Sequence, residues 1–174
     1  MPVIGLQGEK GSTITAAFMQ VISDIGGEAI LADAADAVRI IQEEHAGAGV
    51  TVNSIDHTPG YNAHQYAQLP APELEAVDVL IIRGGVAVAE NGAVWIPESR
   101  MVNRLLPFIS RRLVVVVEEQ AIVPTLHEAY ALVQTDKEGY GAFIAGPSKT
   151  ADIEQSLVVG AHGPLSFRVV IIKQ

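Results

Sequence analysis

The sequence contains no cysteine among its 174 residues. This chain therefore forms no disulfide, offers no thiol nucleophile and cannot ligate an iron–sulfur cluster through cysteine. A metal site is not indicated either, because His57 and His64 lie seven residues apart in an irregular segment without zinc-ligand spacing. We therefore expect no metal and no cofactor in this chain.

Basic residues are few. Lysine and arginine total 11 against 20 aspartates and glutamates, which gives a formal net charge of −9. Nucleic-acid binding depends on clustered basic side chains. The sequence offers only short pairs such as Arg111-Arg112. We predict no nucleic-acid partner.

Long apolar runs are also missing. No run approaches the roughly 20 residues that span a bilayer. The first twelve residues, MPVIGLQGEKGS, show no basic segment followed by an apolar stretch, so no signal peptide is predicted. Both features predict a cytoplasmic protein that does not insert into a membrane.

What remains is an apolar chain with a modest number of charges. Hydrophobic residues make up 49% and aromatic residues only 5%. Abundant valine and isoleucine favour buried parallel strands. The length fits one domain over residues 1–174.

Helical patterns alternate with strand-like runs. Ile14, Phe18, Val21, Ile22 and Ile25 form one helical face that ends at Gly26-Gly27. A second helix is predicted after Asp33 as its cap, with Ala34, Val38, Ile41 and His45 on its face. A third is predicted over Arg100–Leu106, and a turn with a short helix over Pro147–Ser156. Another helix is predicted where Thr125 and Glu128 form a capping box, and its apolar face is Leu126, Ala129, Tyr130 and Val133.

The predicted strands are Glu28–Leu31, Val50–Asn53, Val77–Ile82, Val86–Ala89, Ala93–Ile96, Leu113–Val117, Ala142–Ala145 and Phe167–Ile172. Asn91-Gly92 between two of them is a strong hairpin signal. Residues 54–72 hold three prolines and no apolar period, which predicts a long surface loop of the kind that often carries function. The alternation predicts a layered α/β domain.

The segment Gly146–Glu154, GPSKTADIE, is the most informative. At a helix start, Ser148 and Thr150 would place hydroxyls beside unpaired N–H groups, which suits a carboxylate or phosphate. The same residues also serve as plain helix caps, with Asp152 in the first turn.

Two further features carry possible chemistry. His162 lies between glycines in Gly160–Pro164, so a tight turn could hold its imidazole for acid–base work or simply satisfy the backbone. Glu90 lies at the tip of the predicted hairpin, where a carboxylate is either functional or merely solvated.

These features together resemble the LUD-domain family, which includes the lactate-utilisation protein C proteins. The family carries a G-P-S-[KR]-T-A-D-I-E stretch and a G-x-H-G-P turn, and both are present here. Ala89–Ala93 stands where the family has A-E-T-G-T, with Asn91 and Ala93 in place of two threonines. Arg104–Pro107 and Leu113–Val117 match further family segments, so that the resemblance covers about residues 14–172.

The resemblance implies a three-layer α/β/α sandwich like that of sugar-phosphate isomerases, CoA transferases and formyltetrahydrofolate cyclo-ligases. It also implies participation in the oxidation of L-lactate to pyruvate beside cysteine-rich iron–sulfur partner subunits. Whether this chain is itself an enzyme stays open.

The leading hypothesis is a site for a small anionic metabolite. It would use His162 or Glu90 as acid or base and Ser148 and Thr150 as anion ligands. The remaining members of the predicted site are Gly92, Asp152 and Glu154. The alternatives are a stand-alone enzyme or binder of a phosphorylated, CoA-type or folate-type metabolite, suggested by fold analogy, and a non-catalytic scaffold for the iron–sulfur subunits.

Overall fold

The computed structural model describes residues 12–46, 49–133, 136, 139–151, 157–159 and 163–173. Within these ranges the helices are α1 (Ser12–Asp24), α2 (Ala34–Ala46), α3 (Ala71–Leu74), α4 (Leu106–Ile109) and α5 (Leu126–Leu132), with 3₁₀ turns at Ala63–Gln65, Glu98–Arg100 and Glu119–Ala121. The strands are β1 (Glu28–Ala32), β2 (Val50–Asn53), β3 (Val77–Arg83), β4 (Ala87–Val88), β5 (Val94–Pro97), β6 (Arg112–Glu118), β7 (Ile122–Val123), β8 (Gly141–Ile144), β9 (Lys149–Ala151), β10 (Leu157–Val159) and β11 (Ser166–Ile172).

The main sheet has five strands in the order β1-β11-β6-β3-β2, and every neighbouring pair is parallel. The apolar run predicted to be a buried parallel strand is β6, at the centre of this order. It pairs with β11 from Ser166 opposite Arg112 to Ile172 opposite Glu118. Parallel strands buried on both faces require continuous apolar sequence, which these two strands supply.

Helices cover both faces of the main sheet. Phe18 and Ile22 of α1 pack on one face with Leu113, Val115 and Val117. Ile40 and Ile41 of α2 pack on the other face with Val114 and Val116. Alternate side chains of a strand point to opposite faces, so one apolar run supplies both cores. The α/β class is confirmed, and the helices on both faces agree with three layers. The likeness to sugar-phosphate isomerases and CoA transferases stays a prediction.

The helix caps predicted at Asp33 and Thr125 are confirmed. The Asp33 carboxylate accepts a 2.8 Å hydrogen bond from the backbone N–H of Asp36 at the start of α2. The Thr125 hydroxyl accepts one from the N–H of Glu128 at the start of α5. Each bond satisfies a donor that the first helical turn leaves unpaired.

The predicted apolar face of α2 is partly wrong. Ala37, Ile40 and Ile41 are buried, whereas Ala34 and His45 are exposed. The helix is rotated so that Ala37 and Ile40, which the predicted face left out, pack in the core together with Ile41. The α5 face is also narrower than predicted, since Ala129 is buried while Tyr130 is 60% exposed.

The predicted helix over Arg100–Leu106 is wrong. A 3₁₀ turn ends at Arg100, Val102 adopts φ +65°, and α4 begins only at Leu106. A β-branched residue at positive φ is an uncommon and strained conformation. It breaks the helical path at the point where Val102 packs against the core.

A second sheet, in the order β7-β4-β5-β8, covers the α1 side of the main sheet. Gly84 links the two sheets, because a Cβ there would lie 2.6 Å from Val94 and 2.8 Å from Val117. The predicted hairpin is confirmed as β4 and β5. Its connection is longer than an Asn-Gly turn, since the N–H of Val88 bonds the carbonyl of Ala93 and leaves four residues between them.

In the residues that the structure describes, every helix is too short or too polar to pass through a lipid bilayer.

Candidate functional site

The described parts of the two sequence motifs lie in contact. The backbone N–H of Ser148 donates a 2.8 Å hydrogen bond to the carbonyl of Pro164. Gly163 is pressed against the same serine, because a Cβ at Gly163 would lie 3.0 Å from the Ser148 Cβ and 3.3 Å from its hydroxyl oxygen. The fold thus brings the start of the first motif to the end of the second.

The start of the first motif also packs on the end of α1. Gly146 is buried at φ +73°, and a Cβ there would lie 3.1 Å from the carbonyl oxygen of Ile25. Glycine is favoured at such a position because it accepts positive φ without a side-chain clash. Beside it, the Lys149 ammonium lies over Gly26, just past the end of α1. A cation is stabilised there by the negative end of the helix dipole.

Gly92 meets the same isoleucine from the hairpin. It is buried at φ +71°, and a Cβ there would lie 2.9 Å from Ile25 Cδ1 and 3.2 Å from Ile22 Cδ1. The hairpin and the first motif therefore converge on Ile25, just past the end of α1. We call this region the signature surface: Gly92, the segment 146–149, Gly163 and Pro164 around Ile25.

The signature surface lies at the amino-terminal edge of the main sheet. The neighbouring strands β1 and β11 begin there, at Glu28 and Ser166. Lys149 reaches the turn that leads into β1, and Pro164 lies two residues before β11. Ligands of open α/β sheets usually bind at the opposite, carboxyl edge. The signature surface is thus not at the usual ligand position of this fold class.

The predicted helix over Pro147–Ser156 is wrong in its described part. Lys149–Ala151 is strand β9, which pairs antiparallel with Leu157–Val159 and places Thr150 opposite Val158. The hydroxyl-rich start suits a helix cap, but pairing with the apolar strand Leu157–Val159 overrides that local preference. The argument for an anion site from helix N–H groups and a helix dipole is therefore lost.

Three residues of the predicted site, Asp152, Glu154 and His162, lie outside the described residues.

Glu90 is exposed at the hairpin tip, as predicted. Its carboxylate accepts a 2.9 Å hydrogen bond from the backbone N–H of Leu126, the first residue of α5. Its own backbone N–H donates to the carbonyl of Pro124 at 3.0 Å. Glu90 thus ties the hairpin to the start of α5, where a carboxylate is favoured by the helix dipole.

Asn91 stands where the resembling family has threonine. Its side-chain oxygen accepts a 3.0 Å hydrogen bond from the N–H of Ala93, which is the local turn that asparagine commonly forms. Ala93 is buried and packs with Val88 and Ala129. Both replacements therefore serve the hairpin's own structure.

The ion pairs nearest the amino edge hold the sheet to α2. The Glu44 carboxylate lies between the guanidinium groups of Arg168 and Arg112, and Arg112 also contacts Asp78 at 3.1 Å. A hydrogen bond from the backbone N–H of Gly49 lowers the pKa of Asp78, and the Arg112 guanidinium lowers it further against the opposing effect of burial. These contacts link the backbone at Gly49 and helix α2 to the main sheet.

A separate cavity of about 460 Å³ opens at the carboxyl edge, beyond the ends of β2 and β3. Its charged lining residues are Asp56, Arg83 and Arg100, and Ser54, Tyr61 and His64 add polar groups. We call it the arginine cavity. One feature of the sequence pointed to it, the long irregular segment over residues 54–72. The two arginines could not be assigned to one site from sequence, because they approach through β3 and a distant 3₁₀ turn.

Buried amides fix the loop that forms one wall of this cavity. Asn53, fully buried at the end of β2, donates to the Thr58 hydroxyl at 2.9 Å and to the carbonyl of Pro59 at 3.1 Å. Its side-chain oxygen accepts from the N–H of Ile55. Asn62 closes the loop by accepting from the N–H of Asn53. The wall is therefore held in shape by the protein itself.

His57 and His64 were weighed as metal ligands from the sequence. Across the described ranges, no three histidine, aspartate or glutamate side chains converge as metal ligands.

The architecture defines a class: an α/β domain with a parallel main sheet and a smaller sheet laid against it. Residues 67–172 match the family model of the LUD domain, and the chain belongs to that family.

Among similar proteins, the lactate utilization protein C of Geobacillus kaustophilus is 31% identical over 104 residues, which cover 56% of this chain and 43% of that protein. The lactate utilization protein C of a Geobacillus species is 29% identical over 140 residues, covering 77% of this chain and 55% of that protein. The chain thus spans about half the length of these relatives. A DUF162-family protein from Deinococcus radiodurans has a similar fold, with a TM-score of 0.72, 22% identity, and coverage of 95% of this chain and 99% of that chain.

Proposed function

We propose that this chain is a component of L-lactate utilisation that takes part in oxidising L-lactate to pyruvate in the cytoplasm. The observation that carries the proposal is its similarity to proteins named lactate utilization protein C, at 31% and 29% identity, within a chain that belongs to the LUD-domain family. The contact between Ser148 and Gly163 supports it, because the fold assembles the two motifs that the sequence shares with this family.

The proposal assigns the electron-carrying iron–sulfur clusters to partner subunits. The chain supplies no cysteine to ligate such a cluster. Its own contribution would be to bind a small anionic metabolite, to dock the partners, or both.

Within this proposal the functional region is the signature surface with its neighbours. Ser148 and Thr150 are the proposed anion ligands, and His162 or Glu90 is the proposed acid or base. Asp152 and Glu154 would orient them. Gly92 contributes by packing, since it lets the hairpin approach Ile25 closely. With β9 in place of a helix, hydroxyl groups and Lys149 would have to supply the anion contacts.

Deleting the gene in the organism that encodes this chain tests the proposal. We expect growth on L-lactate as sole carbon source to be lost and growth on pyruvate to be retained, because only the oxidation step is missing. Expression of the wild-type chain should restore growth on L-lactate. Equal growth of deletion and parent strains on L-lactate would contradict the proposal.

A pull-down separates docking from metabolite binding. An affinity-tagged chain, expressed from its own locus during growth on L-lactate, should retain cysteine-rich iron–sulfur proteins that are identifiable by their visible absorbance and by mass spectrometry. If a partner is retained but neither L-lactate nor pyruvate shifts the chain's melting temperature, the chain acts as a scaffold. If neither partner nor ligand is found, the proposed role in this system fails.

A further inference from the structure

The arginine cavity has the position and size of a ligand site. It lies where β2 and β3 end, the edge at which parallel α/β sheets usually bind small molecules. Its volume of about 460 Å³ is within the usual range for sites of small organic molecules. One wall is the loop that Asn53 and Asn62 hold in shape, so that binding would not first have to order it.

The charge of the cavity selects an anion. Arg100 donates a hydrogen bond to the carbonyl of Gly84, but no carboxylate lies within 4.0 Å of its guanidinium in the described part of the chain. Arg83 contacts Glu118 at 3.1 Å, with both side chains more than 40% exposed. An exposed pair of this kind contributes little to stability and exchanges readily for another anion. Two arginines and one carboxylate, that of Asp56, line the cavity, so its lining carries a net positive charge in a chain of net charge −9.

The rest of the lining fits the body of an organic molecule. Ala63, Ala67 and Val102 provide an apolar floor, and Tyr61 and His64 stand at the rim with ring centroids 6.1 Å apart. Ser54 donates its hydroxyl proton to the carbonyl of Ile81, which leaves its oxygen lone pairs available as acceptors.

We propose that the arginine cavity binds an organic metabolite through a carboxylate or phosphate group held by Arg83 and Arg100. Guanidinium groups match both oxyanions with paired N–H donors. Glu118 competes with the ligand for Arg83. The site is separate from the signature surface and does not depend on a role in lactate utilisation.

Titration of the full chain by NMR and calorimetry tests this site, with inorganic phosphate and pyruvate as the two probes at constant ionic strength set by chloride. We expect saturable binding of at least one probe, and the probe that binds distinguishes a phosphate ligand from a carboxylate ligand. Arg100→Gln and Arg83→Gln should each weaken binding by about tenfold or more, because each removes charge-assisted hydrogen bonds.

Three variants make the result specific. Arg111→Gln removes the same charge from an exposed arginine at the amino edge and should leave binding unchanged. Arg39→Gln removes the charge of another exposed arginine, on α2, and should also leave binding unchanged. Glu118→Gln should strengthen binding several-fold by releasing Arg83, a gain that misfolding cannot produce.

The proposal is overturned by absence of saturable binding of both probes, or by binding that Arg83→Gln and Arg100→Gln leave intact. It is equally overturned if Arg111→Gln weakens binding as much as they do, which would indicate general charge attraction. Loss of binding in Ser148→Ala alone would move the anion to the signature surface.

Discussion

The carboxylate of Glu90 accepts a 2.9 Å hydrogen bond from the backbone N–H of Leu126. This bond joins the tip of the β4–β5 hairpin to the first turn of α5, 36 residues further along the chain. A residue proposed as an acid or base therefore also has a structural task, and the two roles can be separated.

Glu90→Ala should lower the free energy of unfolding by about 0.5–1 kcal/mol, since it removes an acceptor at a helix start. Glu90→Gln keeps a side-chain oxygen and should cost less. Chemical denaturation measures both, with exposed Glu75→Ala as the control. If Glu90→Gln is nearly as stable as wild type but loses growth on L-lactate, Glu90 acts in the function; full growth assigns it to the helix start alone.

Gly92 should be intolerant of any side chain. Gly92→Ala combines an unfavourable φ of +71° with a Cβ 2.9 Å from Ile25 Cδ1. We expect a loss of roughly 2–3 kcal/mol from backbone strain and overpacking together. Urea denaturation measures this loss.

Gly139 provides the matched control for that variant. It has φ +70°, yet none of the described residues comes within 4 Å of the position its Cβ would take. Gly139→Ala should therefore show only the backbone cost, roughly 1 kcal/mol. Adding Ile25→Val to Gly92→Ala should recover part of the loss by removing the Cδ1 methyl. Equal losses at both glycines, without recovery, would show that Gly92 does not pack tightly on α1.

Asn53 should be essential for the shape of the loop at the arginine cavity. Asn53→Asp replaces two buried donors with a carboxylate facing the carbonyl of Pro59, which should cost at least about 2 kcal/mol. Amide hydrogen exchange should then quicken across residues 54–62 before it does in the main sheet. Asn91→Asp keeps the side-chain oxygen that accepts from the N–H of Ala93 and should show neither effect. Unchanged exchange in Asn53→Asp would contradict the role given to this amide network.

Asp78 should contribute to loss of stability in acid. Its pKa in the folded chain is lowered from an ordinary value of 3.8, first by the Gly49 N–H and then by Arg112. Its contribution is therefore present above that ordinary value and is lost as pH falls through the lower folded pKa.

Asp78→Asn should be less stable than wild type at neutral pH and should show a shallower fall in unfolding free energy below about pH 4. Urea denaturation over pH 2–7 measures the difference, with exposed Glu73→Gln as the control. Parallel curves for wild type and Asp78→Asn would contradict the ionic role of Asp78.

The sequence was sufficient to predict those structural elements whose local residue pattern agrees with their burial in the fold. The apolar run at Leu113–Val117, the caps at Asp33 and Thr125 and the Asn91-Gly92 hairpin were predicted correctly, because each depends on neighbouring residues. The segment after Pro147 was predicted wrongly, because its strand is formed by pairing with Leu157–Val159 rather than by its own composition.

The candidate sites were likewise predictable only where they depend on neighbouring residues in the sequence. The family motifs could be found in the sequence, but their meeting around Ile25 depends on a helix more than 60 residues upstream of the hairpin and more than 110 upstream of the first motif. The pairing of Arg83 with Arg100 across one cavity also depends on the tertiary fold, since neither residue belongs to a recognisable motif.

The central claim, that the signature surface and its neighbours serve L-lactate utilisation, is tested most directly by growth of the deletion strain carrying single variants at matched protein levels. We expect Thr150→Val and His162→Ala each to abolish or strongly slow growth on L-lactate, while Arg39→Gln on the exposed face of α2 supports growth at the wild-type rate. Wild-type growth on L-lactate with both Thr150→Val and His162→Ala would contradict the claim.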